Sequence, residues 1–253
     1  MRRICSALAA LMLLAAPTAA SDGRQVAGAA AEAARALQQQ AARIAASGGR
    51  LDMAAGPASE NLRRILDTKN LDELPPLSAS DMSWLLDWLV VVRTVNFTFL
   101  YFGADPKQPM RLAPAQMQHN VNQYEDEIAR VMVFSQKLFP RVLATAQAFM
   151  ETLPEKERSS KVRLDGLAQM MSGDLQSVEG ALGFAAADGT KPANVRMIAA
   201  ALQESAPVWI EVARTDIRTR FAGILRIARG KAENKATADH LRAIEAALAS
   251  VRS

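Results

Sequence analysis

The segment Asp81–Phe102, with the sequence DMSWLLDWLVVVRTVNFTFLYF, constrains the fold more than any other part of the chain. It contains two of the three tryptophans, three of the eight phenylalanines and one of the two tyrosines, in a chain that is only 5% aromatic. Large aromatic side chains dominate the energetics of protein cores. We therefore expect this segment to form a helix at the centre of the hydrophobic core.

The same segment is nearly long enough to cross a bilayer, which requires about 20 apolar residues. Three polar residues, Asp87, Arg93 and Asn96, nevertheless lie within it. A charged residue at the bilayer centre costs about 3 kcal/mol on insertion scales. At about 100° per residue, polar and apolar side chains also separate onto opposite faces. A core helix of a bundle is therefore favoured over a membrane span.

Arg93 and Asn96 interrupt the apolar arc of this helix, and their spacing of three residues makes them neighbours on its surface. A buried guanidinium group requires a carboxylate or several carbonyl groups, because burying an unpaired charge is costly. One interpretation is a salt bridge or hydrogen bond to a neighbouring helix, which is the usual arrangement. The other is a site for an anionic ligand, which makes Arg93 and Asn96 candidate ligand-binding residues.

Residues 1–20 have the pattern of a secretory signal peptide. Arg2 and Arg3 precede the apolar run Ile4–Ala16, and Thr18–Ala20 supplies the small residues of a cleavage site. The apolar run is too short to span a bilayer as a mature helix. We therefore predict a periplasmic or secreted protein, cleaved near Ala20.

Removal of the signal peptide changes the charge and the cysteine count of the chain. The formal net charge falls from +4 to +2 when Arg2 and Arg3 are lost, so the high isoelectric point does not indicate a nucleic-acid-binding protein. Cys5, the only cysteine, is lost as well. The mature chain is thus predicted to have no disulfide, no thiol nucleophile and no covalently attached haem. We predict no cofactor.

The rest of the chain divides into an Ala/Gln-rich arm and linker, residues 21–58, and a single helical-bundle domain, residues 59–253. The arm favours helix by composition. Only Val26, Leu37 and Ile44 are large enough to anchor it, so we expect a weakly formed or loosely attached helix. Gly56 and Pro57 indicate a linker.

Spacings of three and four between apolar residues recur through the domain, and no alternating run requires a β-sheet. The sequence therefore predicts an all-α protein, an irregular antiparallel helical bundle of about six to eight helices around a central apolar helix.

Glycines Gly166, Gly173 and Gly180 recur at intervals of seven beside a heptad-like apolar seam, Leu164–Leu182. Each glycine costs a helix about 1 kcal/mol relative to alanine. Two explanations are open. Either the glycines allow close packing against the Asp81–Phe102 helix, or they line a groove between these two helices that binds an apolar ligand or a partner helix.

Catalytic and metal-binding patterns are sparse. The two histidines, His119 and His240, are far apart in sequence, and His119 with nearby acidic residues falls short of a metal-binding set. We predict no metal site and no catalytic residues, and an enzyme is the less favoured class. The carboxylates Asp87, Glu125, Asp126 and Glu179 are not paired by any pattern in the sequence.

Four arginines, Arg214, Arg218, Arg226 and Arg229, gather on one side of a helix near the C-terminus. Such a stripe is most often a solvated surface, and its functional interpretation is weak contact with an anionic lipid surface.

Three functional hypotheses follow. The first is an exported binding or adaptor protein for an apolar ligand or an envelope partner. The alternatives are a metal-dependent or carboxylate enzyme of the periplasm, and a structural envelope protein without a ligand. The sequence predicts no oligomeric state.

Overall fold

A computed structural model describes residues 18–105, 107–108 and 110–250, with side chains from residue 23 onward. Every regular element in this part of the chain is a helix, and the all-α prediction is confirmed. Residues 1–17, which hold most of the predicted signal peptide, lie outside the described residues. The α-helices are α1 (Thr18–Ala46), α2 (Gly56–Ile65), α3 (Lys69–Asp72), α4 (Met82–Leu100), α5 (Pro114–Gln123), α6 (Glu125–Thr152), α7 (Glu155–Arg158), α8 (Lys161–Ala186), α9 (Pro192–Val212), α10 (Thr215–Gly230) and α11 (Lys235–Ser250).

The core consists of two hydrophobic clusters that share the long helix α6. The first cluster is formed by α1, α2, α4 and one side of α6, and the second by α8, α9, α10 and α11 with the other side of α6. Ile128 and Phe134 of α6 are buried in the first cluster, whereas Ala129 is buried in the second. The 28 residues of α6 continue through Pro140 and provide a scaffold for both halves.

Helix α4 forms the centre of the first cluster, as the aromatic segment predicts. The side chains on its inner face are Trp84, Leu85, Trp88, Val92, Val95 and Phe99. A short 3₁₀ turn, Ala79–Asp81, leads into the helix. The Asp81 carboxylate accepts hydrogen bonds from the Ser78 backbone N–H (2.8 Å) and the Trp84 indole N–H (2.9 Å). These bonds fix both the start of α4 and the orientation of its first tryptophan.

Helix α1 packs firmly against α2 and α4, so the prediction of a loosely attached arm is wrong. The residues that it buries are mostly alanines, together with Leu37. Small side chains let the α1 backbone approach α4 closely, which compensates for the scarcity of large anchors. At Gly23 there is no room for a side chain, since an added Cβ atom would lie 2.8 Å from the Trp84 ring.

Helix α8 packs mainly against α6, α9 and α10, and α6 lies between α8 and α4. Its buried side chains begin only at Asp174. In the first half of α8, Leu164 is 49% exposed although it belongs to the heptad-like seam. The apolar seam is therefore buried in the core only in the second half of α8.

Candidate functional site

A cleft of about 590 Å³ lies between the C-terminal halves of α1 and α4. We call it the α1–α4 cleft. Its volume falls within the usual range of small-molecule sites, about 300–1,000 Å³. The residues that line it are Gln38, Ala41, Ala42, Ala45 and Ala46 of α1, Thr94, Phe97 and Thr98 of α4, and Tyr101, Phe102, Gly103, Ala104, Asp105 and Met110 after the end of α4.

The cleft follows from the residue types on two parallel helices. Gly23 of α1 meets Trp84 near the start of α4, and Ala41 and Ala45 face the end of α4, so the two helices run in the same direction. Alanines on α1 leave space that larger side chains would fill. Gly103 adopts a φ of +80°, which favours glycine, and Ala104, Asp105 and Met110 beyond this turn also line the cleft.

Aromatic contacts hold the walls of the cleft in place. The rings of Phe97 and Tyr101 meet edge to face with their centroids 5.8 Å apart, and Phe102 meets Tyr124 in the same way at 5.4 Å. Tyr124 is buried, and its hydroxyl oxygen accepts a hydrogen bond from the Leu51 backbone N–H (3.1 Å). The cleft is therefore preformed, since Phe102 is held by a buried residue outside the cleft and Phe97 and Tyr101 hold each other within its wall.

Two polar side chains of the cleft, Thr98 and Asp105, have partners of their own. The Thr98 hydroxyl donates to the Thr94 backbone carbonyl at 3.0 Å. The Asp105 carboxylate accepts the Lys107 backbone N–H at 2.8 Å. The surface that remains for a ligand is mainly alanine methyl groups and aromatic rings, which suits apolar chemistry.

Arg93 is exposed, so the prediction that it projects into the bundle is wrong. Its guanidinium group lies over the Phe97 ring, 5.3 Å from the centroid, and it forms no salt bridge within the described part of the chain. The cause is that no helix among the described residues covers the outer face of α4, where Leu86 and Val90 are exposed, so the apolar arc of this helix is wider than its buried face. Through Phe97, Arg93 lies at the edge of the α1–α4 cleft.

Asn96 is half-buried and does not line the cleft. Its Oδ1 atom is buried without a hydrogen-bond partner among the described residues. Arg93 and Asn96 are therefore neighbours along α4 that face different surroundings, and the structure does not combine them into one pocket.

Gly166, Gly173 and Gly180 are exposed, and no atom of a neighbouring element lies within 4 Å of an added Cβ at any of them. The predicted close packing against the Asp81–Phe102 helix is therefore wrong. The predicted groove between these two helices is not formed either, because α6 lies between them. The structure does not bring the three glycines together with Arg93 and Asn96.

Three of the four carboxylates considered for chemistry have structural partners, and the exposed Asp87 has no salt bridge among the described residues. Glu125 accepts hydrogen bonds from the Lys191 backbone N–H (2.7 Å) and the Asn194 side chain (2.9 Å) at the start of α9. Hydrogen bonds from Lys191 and Asn194 lower the pKa of Asp126 below its ordinary value. Glu179 pairs with Arg220 at 3.0 Å. These groups tie α6 to α9 and α8 to α10.

His119 is exposed on α5, and no three His, Cys, Asp or Glu side chains gather in a metal-binding arrangement within residues 23–250 as described. Of the four arginines in the C-terminal stripe, Arg214 pairs with Asp216 at 3.3 Å and Arg229 pairs with Glu245. Arg218 donates to the Thr215 hydroxyl at 3.1 Å. Part of this stripe is thus already engaged on the protein surface.

The sequence reasoning missed the α1–α4 cleft, although two signals pointed to it. The first is the group Phe97, Tyr101 and Phe102 immediately before Gly103. The second is the run of alanines in α1, which is helical in composition and leaves space beside any partner helix.

The chain matches no protein-family model, and neither the curated proteins nor the solved structures give a significant match. The functional argument therefore depends on the geometry of the α1–α4 cleft itself.

Proposed function

We propose that this chain is an exported binding protein that takes up an apolar ligand in the α1–α4 cleft. The observation that carries the proposal is the preformed cleft of about 590 Å³ lined by alanines and aromatic rings. The signal-peptide pattern of residues 1–20 supports export. Binding in the cleft removes apolar surface of Phe97, Tyr101 and Met110 from water, which is favourable by about 25 cal/mol per Å².

The length of the helical wall of the cleft limits the length of the ligand. The stretch Thr94–Tyr101 spans about 12 Å along α4, because a helix rises 1.5 Å per residue. An extended alkyl chain with bonds of about 1.5 Å advances about 1.3 Å per carbon, so about nine carbons fit along this wall. A single acyl chain or a small fused aromatic system suits these dimensions.

The neutral fluorophore N-phenyl-1-naphthylamine tests the proposal directly, because its emission rises when it leaves water for an apolar site. Titration of the purified protein should give saturable binding. Ala42→Trp should weaken this binding about tenfold or more, because an indole fills the space between α1 and α4. Native mass spectrometry of protein purified from its own host should also show a retained ligand that the probe displaces.

The chain offers a matched control on the same helix. Ala36 lines a separate depression of about 500 Å³ between α1 and α2. Ala36→Trp introduces the same bulk and should leave probe binding unchanged. The proposal is wrong if Ala36→Trp abolishes binding while Ala42→Trp does not, or if the parent protein binds no probe.

No specific observation in the described residues favours the two alternatives, a metal-dependent or carboxylate enzyme and a structural envelope protein without a ligand. Binding of the probe in the α1–α4 cleft would argue against the structural alternative.

A further inference from the structure

The two ends of the α1–α4 cleft differ in their polar groups. Gln38 and Thr94 are the first residues of α1 and α4 to line the cleft, and because the helices are parallel they lie at the same end. The Gln38 amide and the Thr94 hydroxyl form no side-chain hydrogen bond within the described part of the chain. At the opposite end the lining includes the carboxylate of Asp105. One end therefore offers hydrogen-bond donors, and the other carries a negative charge.

Arg93 adds a positive charge to the end of the cleft that Gln38 and Thr94 form. It directly precedes Thr94, and its guanidinium group lies 5.3 Å from the centroid of the Phe97 ring, which is part of the cleft wall. Arg93 is exposed and forms no salt bridge within the described part of the chain. Its charge is therefore free to pair with a ligand at the rim of the cleft.

The other charged side chains of the two helices lie further from this end. Arg35 and Glu32 are one and two turns before Gln38 on α1, and their opposite charges largely cancel. Asp87 is seven residues before Thr94, which corresponds to about 10 Å along α4. Arg93 therefore determines the sign of the charge at the Gln38–Thr94 end.

We propose that the ligand of the α1–α4 cleft is a single-chain carboxylate amphiphile, bound with its carboxylate at Arg93 and its alkyl chain directed toward Met110. This inference rests on the proposed function, because it requires that the cleft bind an apolar group. A guanidinium group pairs with a carboxylate through two parallel hydrogen bonds, and the Gln38 amide is a further donor at the same end. Since Arg93 is already held over Phe97, less side-chain entropy is lost when it pairs.

The charge of Asp105 sets the direction of the chain. A ligand bound the other way round would place its carboxylate beside the Asp105 carboxylate, and like charges repel. Lys107 and Arg111 follow Asp105 in the loop, but neither lines the cleft. About nine carbons fit along the helical wall, as argued above, so decanoate places its carboxylate just beyond that wall at the Arg93 end.

Displacement of the neutral probe N-phenyl-1-naphthylamine tests the charge of the ligand. Decanoate and decylammonium have the same chain length and opposite charges. Decanoate should displace the probe from the parent protein about tenfold more tightly than decylammonium at low salt. In about 0.5 M NaCl this preference should shrink, because salt screens a charge pair at an exposed rim.

Variants of Arg93 test the position of the carboxylate. Arg93→Gln should lower the preference for decanoate about fivefold, and Arg93→Lys, which keeps the charge, should retain most of it. Lys107→Gln removes an exposed positive charge near the opposite end and should leave the preference unchanged. The affinity for the neutral probe should stay within about twofold in all three variants, because the probe has no charge to pair.

The outcomes separate this inference from the proposed function. A parent protein that binds no probe overturns both. A parent that binds the probe but shows no preference for decanoate overturns only the assignment of a carboxylate ligand. An unchanged preference in Arg93→Gln, or a larger loss in Lys107→Gln than in Arg93→Gln, overturns the placement of the carboxylate at Arg93.

Discussion

Asp174 is a carboxyl group on the buried side of α8, and no salt bridge reaches it within the described residues. Burial raises the pKa of this carboxyl to about 7. The folded protein therefore holds a proton on Asp174 at pH values where the unfolded chain has released it. The free energy of unfolding must fall as the pH rises from about 4 to about 7, and the loss is complete above that range.

Asp174→Asn should remove this dependence, because the amide has the same shape and no charge. At pH 8 the variant should be more stable than the parent by up to about 4 kcal/mol, from 1.36 kcal/mol per pKa unit. At pH 4, close to the ordinary aspartate pKa of 3.8, the unfolded chain still keeps much of this proton, so the two proteins should differ little. Urea unfolding of both proteins at the two pH values measures the difference, and an equal gap at pH 4 and pH 8 would contradict the assignment.

Asp81 shows the opposite behaviour. Burial on its own raises the pKa of this carboxyl, but hydrogen bonds from Ser78 and Trp84 outweigh burial and hold the pKa below its ordinary value. The stability that ionised Asp81 contributes is therefore present above the unfolded pKa and is lost as the pH falls through the lower folded value.

Asp81→Ala should destabilise the fold by about 2 kcal/mol at pH 7, because it removes a helix-start hydrogen bond and leaves the Trp84 indole N–H without its acceptor. Urea unfolding measures the loss. Glu151→Ala, at an exposed carboxylate on α6, should change stability by less than about 0.5 kcal/mol. If the two substitutions lowered the free energy of unfolding equally, the hydrogen bonds of Asp81 would not stabilise the fold.

At the level of the helices, the three glycines of α8 cost backbone entropy and have no packing role among the described residues. An added Cβ meets no atom of a neighbouring element within 4 Å at Gly166, Gly173 or Gly180. Each Gly→Ala substitution should therefore stabilise the protein by about 0.5–1 kcal/mol, since alanine loses less backbone entropy in a helix. Thermal unfolding followed by circular dichroism would reveal the gain, and a loss would mean that a partner packs against this face.

Two glycines of α1 provide a contrasting pair. At Gly23 the added methyl group would lie 2.8 Å from the Trp84 ring, which Asp81 holds in place, whereas at Gly28 it would meet no atom within 4 Å. Gly23→Ala should therefore destabilise the protein by about 1–3 kcal/mol, and Gly28→Ala should stabilise it slightly. Urea unfolding of both variants compares them, and destabilisation by both would point to a general need for flexibility in α1.

Helices α4 and α1 show which features of the packing can be predicted from the sequence alone. The spacing of Leu85, Trp88, Val92 and Phe99 correctly predicted the inner face of α4, because periodicity reports which side chains share a face. Periodicity does not show whether another helix covers the rest of the apolar arc. The sequence therefore predicts a buried Arg93, whereas the structure exposes it. The sequence predicts a loosely attached α1 because its side chains are small. The alanines nevertheless stabilise the packing of α1, because they let its backbone lie close to α4.

At the scale of the whole molecule, α6 joins the two hydrophobic clusters. The all-α class could be predicted from local patterns, but the order of the helices could not, because every amphipathic helix fits several neighbours equally well. The prediction of a groove between α4 and α8 is wrong for this reason, because α6 packs between these two helices. The α1–α4 cleft depends on a similar long-range pairing, so its aromatic and alanine signals could not be joined into one site without knowing that α1 lies beside α4.

Because both clusters contain side chains of α6, we expect the two halves to unfold together. Trp84 and Trp88 lie in the first cluster, and Trp209 lies in the second. A Trp209→Phe variant reports only the first cluster, and a Trp84→Phe/Trp88→Phe variant reports only the second. Within each variant, the fluorescence midpoint in urea should coincide with the midpoint from circular dichroism, and a separation of the two would mean that the clusters are independent.

The contact between Gly23 and the Trp84 ring has a consequence at a distance. Since α1 and α4 run parallel, the Trp84 ring fits against α1 only at Gly23, where there is no side chain. This fit sets the relative register of the two helices along their whole length. A slip of one residue would move α1 by about 1.5 Å. It would also change which alanines face Phe97 and Tyr101 some twenty residues further along. The width and depth of the cleft at one end of the helix pair are thus determined by the absence of a single methyl group at the other.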